Sequence, residues 1–160
     1  GIQKALGGEC YSAHAGYREN CTLPELFDNA RRATDLFEVP VAIEGLYPDR
    51  HKAQLISTWE EYRALLESGL PYALDLSHLN IVANRSHRWE LQLVSEMLSS
   101  EQCLEIHVSE NDGRGDQHQS CKAEIPPWWL SLLPAANPKA VIFTEGNLRR
   151  EMVKSQIEAN

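Results

Sequence analysis

Apolar residues recur along this chain in five short runs, and each run closes on or beside an acidic or imidazole side chain. The runs are YSAHAG, VAIEG, YALDLSH, LEIHVS and VIFTEG. Between them the apolar positions switch to helical spacing. Leu23–Phe37 carries Leu26, Phe27, Ala30, Ala33 and Leu36 or Phe37 on one stripe, behind Thr22 as N-cap and Pro24 in the first turn. Thr58 opens a second helix as T-x-x-E with Glu61, a capping box. Trp59, Tyr62, Leu65 and Leu66 form its stripe, and Gly69 stops it. A third helix is predicted over 86–99, with Trp89, Leu93, Met97 and Leu98 inside. Pro126 and Pro127 introduce a short fourth over 128–133, ended near Pro134, and 149–158 reads as a fifth. Short apolar strands alternating with amphipathic helices predict a parallel sheet covered on both faces.

Parallel strands point the same way, so side chains at their C-terminal ends gather on one face. Here those side chains are His14, Glu44, Asp75 with His78, His107 and Glu145. Successive ones are separated by ~30 residues, the length of one strand–helix unit of a (β/α)₈ barrel. Carboxylates and neutral imidazoles bind divalent ions of middling hardness. Glu44, Asp75, His107 and Glu145 together offer three carboxylates and one imidazole, a ligand set for Zn, Mn or Mg. The D-x-H pair Asp116 and His118 lies in the longest irregular segment, 109–125, where extended geometry points both side chains one way. With His78 they form a place for a second ion. A single strand-end carboxylate is more often a helix cap or ion-pair partner. Ligand-type residues at every strand end make a shared cation the better account, because unpaired charges at the ends of apolar runs are costly.

Composition narrows the class. The chain has 160 residues, 42% hydrophobic and 24% charged, enough for one sizeable core. Its net charge of −8 disfavours non-specific attraction to phosphate backbones. No apolar run approaches the ~18 residues that span a membrane, and no basic-then-apolar leader resembles a signal peptide. Cys10, Cys21, Cys103 and Cys121 lack C-x-x-C spacing and read as reduced thiols of a cytoplasmic protein, Cys103 buried and Cys121 near the site. His51 and His87 sit in polar surroundings and read as surface residues, as do Arg149 and Arg150. Trp128 and Trp129 read as core packing of a short helix. Arg114, between His107 and Asp116, is placed to clamp a phosphate or hydroxyl group.

With these motifs the chain resembles the xylose-isomerase-like TIM-barrel superfamily, which holds sugar isomerases, epimerases and endonuclease-IV-type abasic-site nucleases (AP endonuclease family 2). The carrying residues are the His of YSAHAG, the Glu of VAIEG, the D-x-x-H of LDLSH, the His of EIHVSENDG, the D-x-H of GDQH and the Glu of FTEG. Their order matches strands three to seven of that fold. The resemblance implies an α/β fold of (β/α) TIM-barrel type, a partial barrel of about five strand–helix units. Residues 1–160, which begin with Gly1 and not Met, would form a single domain lacking its first two units and its last.

By the same resemblance Glu44, Asp75, His107 and Glu145 form the shared metal quartet. Glu44 and Glu145 double as the acid–base pair of an isomerase, and His78 contacts substrate oxygens. In the nuclease branch His14 joins Glu44 on one ion, and His78, Asp116 and His118 hold another. The expected function is a divalent-metal-dependent isomerase or epimerase, with one to three ions, acting on a small sugar or sugar-phosphate through an enediolate. The alternatives are a metal-dependent phosphodiesterase acting on abasic DNA, and a non-catalytic barrel fragment that binds metal or assembles with another chain. The expected partner is a small polyhydroxylated substrate, with DNA less favoured on charge, no membrane, and room for an oligomer.

Overall fold

The computed structural model describes residues 10–49, 53–121 and 126–146. They form a five-stranded sheet in which every neighbouring pair is parallel: β1 Tyr11–His14, β2 Val41–Glu44, β3 Tyr72–Asp75, β4 Cys103–Val108 and β5 Val141–Thr144. Spatial order equals chain order, β1-β2-β3-β4-β5. Doubly wound sheets reverse their order at a switch point; this sheet does not. Four α-helices occupy the connections: α1 Leu23–Phe37, α2 Trp59–Glu67, α3 Leu76–Ser86 and α4 Leu91–Ser99, followed by a 3₁₀ segment, Trp128–Ala135. The predicted helix over 149–158, Arg149, Arg150 and His51 lie outside the described residues.

Local chemistry accounts for the helix starts. Thr22 accepts from the Glu25 backbone N–H while Glu25 reaches back to the Thr22 N–H, a reciprocal capping box. Thr58 accepts from the Glu61 N–H. The apolar run after Tyr72 contains a transition that the sequence pattern hides. Asp75 ends β3 and caps α3, with one oxygen accepting from the backbone N–H groups of Ser77 and His78. His78 therefore stands in the first turn of a helix, not on a strand tail. The expected helix over 86–99 is corrected accordingly. His87, in the left-handed region at φ 52°, ends α3, and α4 begins only at Leu91. Trp89 falls in the connection and is 49% exposed instead of buried. The 3₁₀ segment continues through Pro134, and Trp129 is fully buried as expected.

The register divides the sheet into two unlike faces. Ile43, Tyr72, Leu74 and Ile106 project from one side into the core with Tyr62, Leu65, Leu79, Val82, Leu93 and Met97 of the helices. Residues of opposite parity share the other side. His14 pairs with Glu44, Glu44 with Ala73, Asp75 with His107, and His107 with Phe143. Glu44 and Asp75, like His107 and Glu145, are thus offset by two residues, and all five strand-end groups face the same way. Between them the stagger advances by nothing, two, nothing and two residues across the four strand pairs.

That shared face is concave. Cys10, just before β1, donates through Sγ to Glu105 Oε1 on β4 at 2.9 Å. Two strands intervene, and a flat sheet would separate β1 from β4 by roughly 14 Å. Contact between their side chains requires the sheet to curl around this face. Small residues, Ser12, Ala42 and Ala73, occupy it behind the strand ends and leave room for the curl.

Candidate metal centre

Each strand delivers its ligand-type residue to the mouth of the curl. His14, Glu44 and Asp75 are the last residues of β1, β2 and β3, and His107 is the penultimate residue of β4. Glu145 follows β5, with its N–H still bonded to the Val108 carbonyl. The loop after β4 returns Asp116 and His118 over the same place. Its base is closed by paired backbone bonds between Glu110 and Gln119. Asn111 ties it down by donating to the Ser77 carbonyl at 2.9 Å. His118 has φ 46°, so the D-x-H stretch is not extended. The two side chains nevertheless meet, His118 Nε2 lying 3.0 Å from Asp116 Oδ2.

The eight residues expected at the site, His14, Glu44, Asp75, His78, His107, Asp116, His118 and Glu145, converge there. Six of them line a cavity of about 540 Å³, together with Tyr17, Tyr47 and Gln54 among others. Asp75 and His107 are buried, at 1% and 3% exposure, against the lining residues His78 and Glu145. Two triads bring one ligand atom per residue within 4.8 Å of one another: Glu44, Asp75 and His78, and Asp75, His107 and Glu145. Asp75 belongs to both. The distances at the centre of the cluster are those of groups around a small void. His107 Nδ1 is 3.3 Å from Glu145 Oε1 and 3.7 Å from Glu44 Oε1. His78 Nε2 is 3.5 Å from both Asp75 Oδ2 and Asp116 Oδ2.

The two buried imidazoles are each anchored through the nitrogen that faces away. His78 Nδ1 donates to the Gly45 carbonyl at 2.9 Å, which leaves Nε2 facing the carboxylates. His107 Nε2 is 3.4 Å from Glu105 Oε2, which leaves Nδ1 facing the void. Metal-bound histidines are oriented this way, one nitrogen ligating and the other bonded to a carbonyl or carboxylate. Asp75 Oδ2 and His107 Nδ1 are buried with no hydrogen-bond partner. Buried polar atoms are nearly always satisfied, and a cation between these two would satisfy both. The donor set therefore fits a divalent ion.

The electrostatics agree. Burial works against ionisation of Glu44, but His14, His107 and His78 outweigh it and hold the carboxyl below its ordinary range. Burial likewise works against charging His78, yet Asp116, Asp75, the Gly45 carbonyl and Glu44 push it up to about 9. His107 is raised in the same sense by Glu105, Glu44, Glu145 and Asp75. Glu145 moves the other way for a carboxyl, upward, through burial and the nearby charges of Asp75 and Glu44. With its affinity for a proton raised to about 9, His78 carries positive charge among these carboxylates, a proton that a metal would displace.

Several site residues carry little sequence signal. Glu105 is held down to about 2, chiefly by its bond with His107; its only advertisement is its position two residues before His107, on the same face. The Tyr47 ring lies 4.9 Å from that of His78 and walls the cavity. Gly45 is required by a close approach: a Cβ there would collide with the Tyr62 ring, whose hydroxyl donates to the Leu46 carbonyl at 2.8 Å. Arg114 is exposed and lines a neighbouring depression that shares Tyr47 and Asp116 with the main cavity. None of the four cysteines forms a disulfide among the described residues; Cys103 is buried, as expected, and Cys121 is exposed.

Among the described residues no helix is long and apolar enough to cross a membrane. Comparison with known proteins finds no matching family model, no matching curated protein and no matching solved structure.

Proposed function

We propose that this protein is a divalent-metal-dependent isomerase or epimerase acting on a small polyhydroxylated substrate, built on an arc of a xylose-isomerase-like barrel. The observation that carries the reading is the pair of buried ligand atoms without a hydrogen bond, Asp75 Oδ2 and His107 Nδ1, beside the cavity. Support for the barrel comes from three features. Strand order is sequential. The sheet curls enough to join Cys10 to Glu105. The strand-end groups stagger by one residue per strand on average, the shear of an eight-stranded barrel. The cavity, about 540 Å³, has the size of a small-molecule site.

A divalent ion held by Glu44, Asp75, His107 and Glu145 would polarise a substrate carbonyl and stabilise the charge of an enediolate. The chain's own groups handle the proton. Glu44 and Glu145 both approach His107 Nδ1, at 3.7 and 3.3 Å, and their environments push their affinities for a proton apart. That separation suits a base and an acid sharing one site. Glu44 takes the proton from the carbon beside the carbonyl, and Glu145 returns one to the adjacent position. His78 Nε2, fixed through Gly45, contacts substrate oxygens.

The test is metal analysis followed by substrate C–H exchange. About one tightly bound ion per chain and deuterium exchange at the carbon beside the carbonyl lost in Glu44→Gln, with an unchanged circular dichroism spectrum, are expected. A chain that binds no ion, or exchange that survives Glu44→Gln, contradicts the proposal.

A second reading, a phosphodiesterase of endonuclease-IV type, is favoured by one observation: Asp116 gathers both His78 and His118, adding ligands beyond the isomerase quartet. It predicts two or three ions and cleavage of an abasic-site duplex.

A further inference from the structure

Beside the main cavity, across Tyr47 and Asp116, lies a second depression of about 510 Å³. Its basic side chains are Arg85, near the end of α3, and Arg114, on the loop after β4. In a chain of net charge −8, neither guanidinium makes an ion pair with a carboxylate among the described residues. Two like charges that line one depression without a direct ion pair favour an anion between them.

The Arg85 guanidinium and the Arg114 backbone are held in place. Arg85 Nη2 donates to the Arg114 carbonyl at 3.1 Å. The Arg114 N–H is fixed by Asp112 Oδ1 at 2.9 Å. Asn111 Oδ1 accepts from the Gly113 N–H at 2.9 Å, and Gly113 takes φ 76° with Asn84 packed where a side chain would go. One loop therefore presents Asp116 to the metal cavity and Arg114 to the adjoining one. Two acids share the second depression. Asp116 is engaged by His78 and His118, and Asp49 also lines the depression.

We propose that Arg85 and Arg114 form the subsite for a phosphate monoester at the far end of the substrate, past Tyr47, while its hydroxyl-bearing carbons reach the metal centre. Guanidinium forks match the oxygens of phosphate. The substrate class is then a phosphorylated polyol or sugar. The orientation rests on the metal-centred reading above; the anion subsite itself does not.

The probe is inorganic phosphate, titrated by ³¹P NMR into metal-free protein and then into protein loaded with Mn²⁺. Binding to metal-free protein is expected, weakened about tenfold or more by Arg85→Gln or Arg114→Gln and unchanged by Arg31→Gln, a remote exposed arginine. The Mn²⁺ content should be equal in all four proteins, and bound Mn²⁺ should speed ³¹P relaxation in the wild type. Phosphate affinity unchanged in the double variant overturns the proposal, as does equal competition by acetate. If Mn²⁺ does not bind but phosphate still depends on the arginines, the metal reading fails and the subsite stands.

Discussion

Strands β3 and β5 have the same length and the same orientation, yet they live in opposite surroundings. Each residue of β3 is buried, and each residue of β5 is exposed. Val141, Ile142 and Phe143 are 56%, 51% and 39% accessible, on an outer strand paired only to β4 among the described residues. The same contrast runs through the candidate centre. Asp75 and His107 are its buried members, whereas Glu145 and His118 are more exposed. Half of the site is thus held by a packed core, and half hangs on an edge. Apolar residues on an unprotected edge are a liability; in a barrel the next strand would cover them. The buried half should set metal affinity, and the open half should set turnover.

The largest break in that comparison is Asp75→Asn. The amide oxygen keeps the cap on α3, since Asn caps about as well as Asp, but the second oxygen is lost from both triads. Metal binding should vanish in calorimetry while the thermal transition of the metal-free protein stays in place. Next comes packing. Leu74→Ala should cost about 2–5 kcal/mol in urea unfolding. Ile142→Ala on the exposed strand should cost less than about 1 kcal/mol. Equal costs would mean that β5 is covered in solution.

Acidity probes the buried half without mutation. His78 is raised from 6.5 to about 9 in the folded protein. Its contribution is therefore fully present below pH 6.5 and is lost as pH rises through about 9. Metal-free protein should lose on the order of 3 kcal/mol across that window, and His78→Gln should flatten the slope. Metal affinity should run the other way, rising with pH as the imidazole protons leave. A partial loss of metal affinity is expected of Glu105→Gln, which changes the partner of His107 Nε2 and of Cys10 Sγ. It should weaken metal binding about 10–100-fold and leave the phosphate subsite untouched.

How much of this was legible in the chain depended on which signals compete. Strand-end ligands were readable because apolar runs and their polar terminators are local, and Thr22 and Thr58 announced their helices through capping residues. Helix α3 was hidden because YALDLSHLNIVA is apolar almost throughout. No Gly or Pro marks where the period changes from two to 3.6. Asp75 is that boundary, and its capping role is visible only once the helix is known. Trp89 misled because Ser86 looks like a cap, whereas the backbone reverses at His87. Tyr47, Gln54 and Arg85 reach their cavities from connections and a helix end, which no strand period reports.

A metal centre built on the buried Asp75 and His107 has a sharp signature in X-ray absorption at the zinc edge of zinc-loaded protein, wild type beside Asp75→Asn. One mixed shell of oxygen and imidazole nitrogen at about 2.0–2.2 Å is expected in the wild type and no retained zinc in the variant. A wild-type spectrum without imidazole scattering, or an identical spectrum from Asp75→Asn, would contradict it.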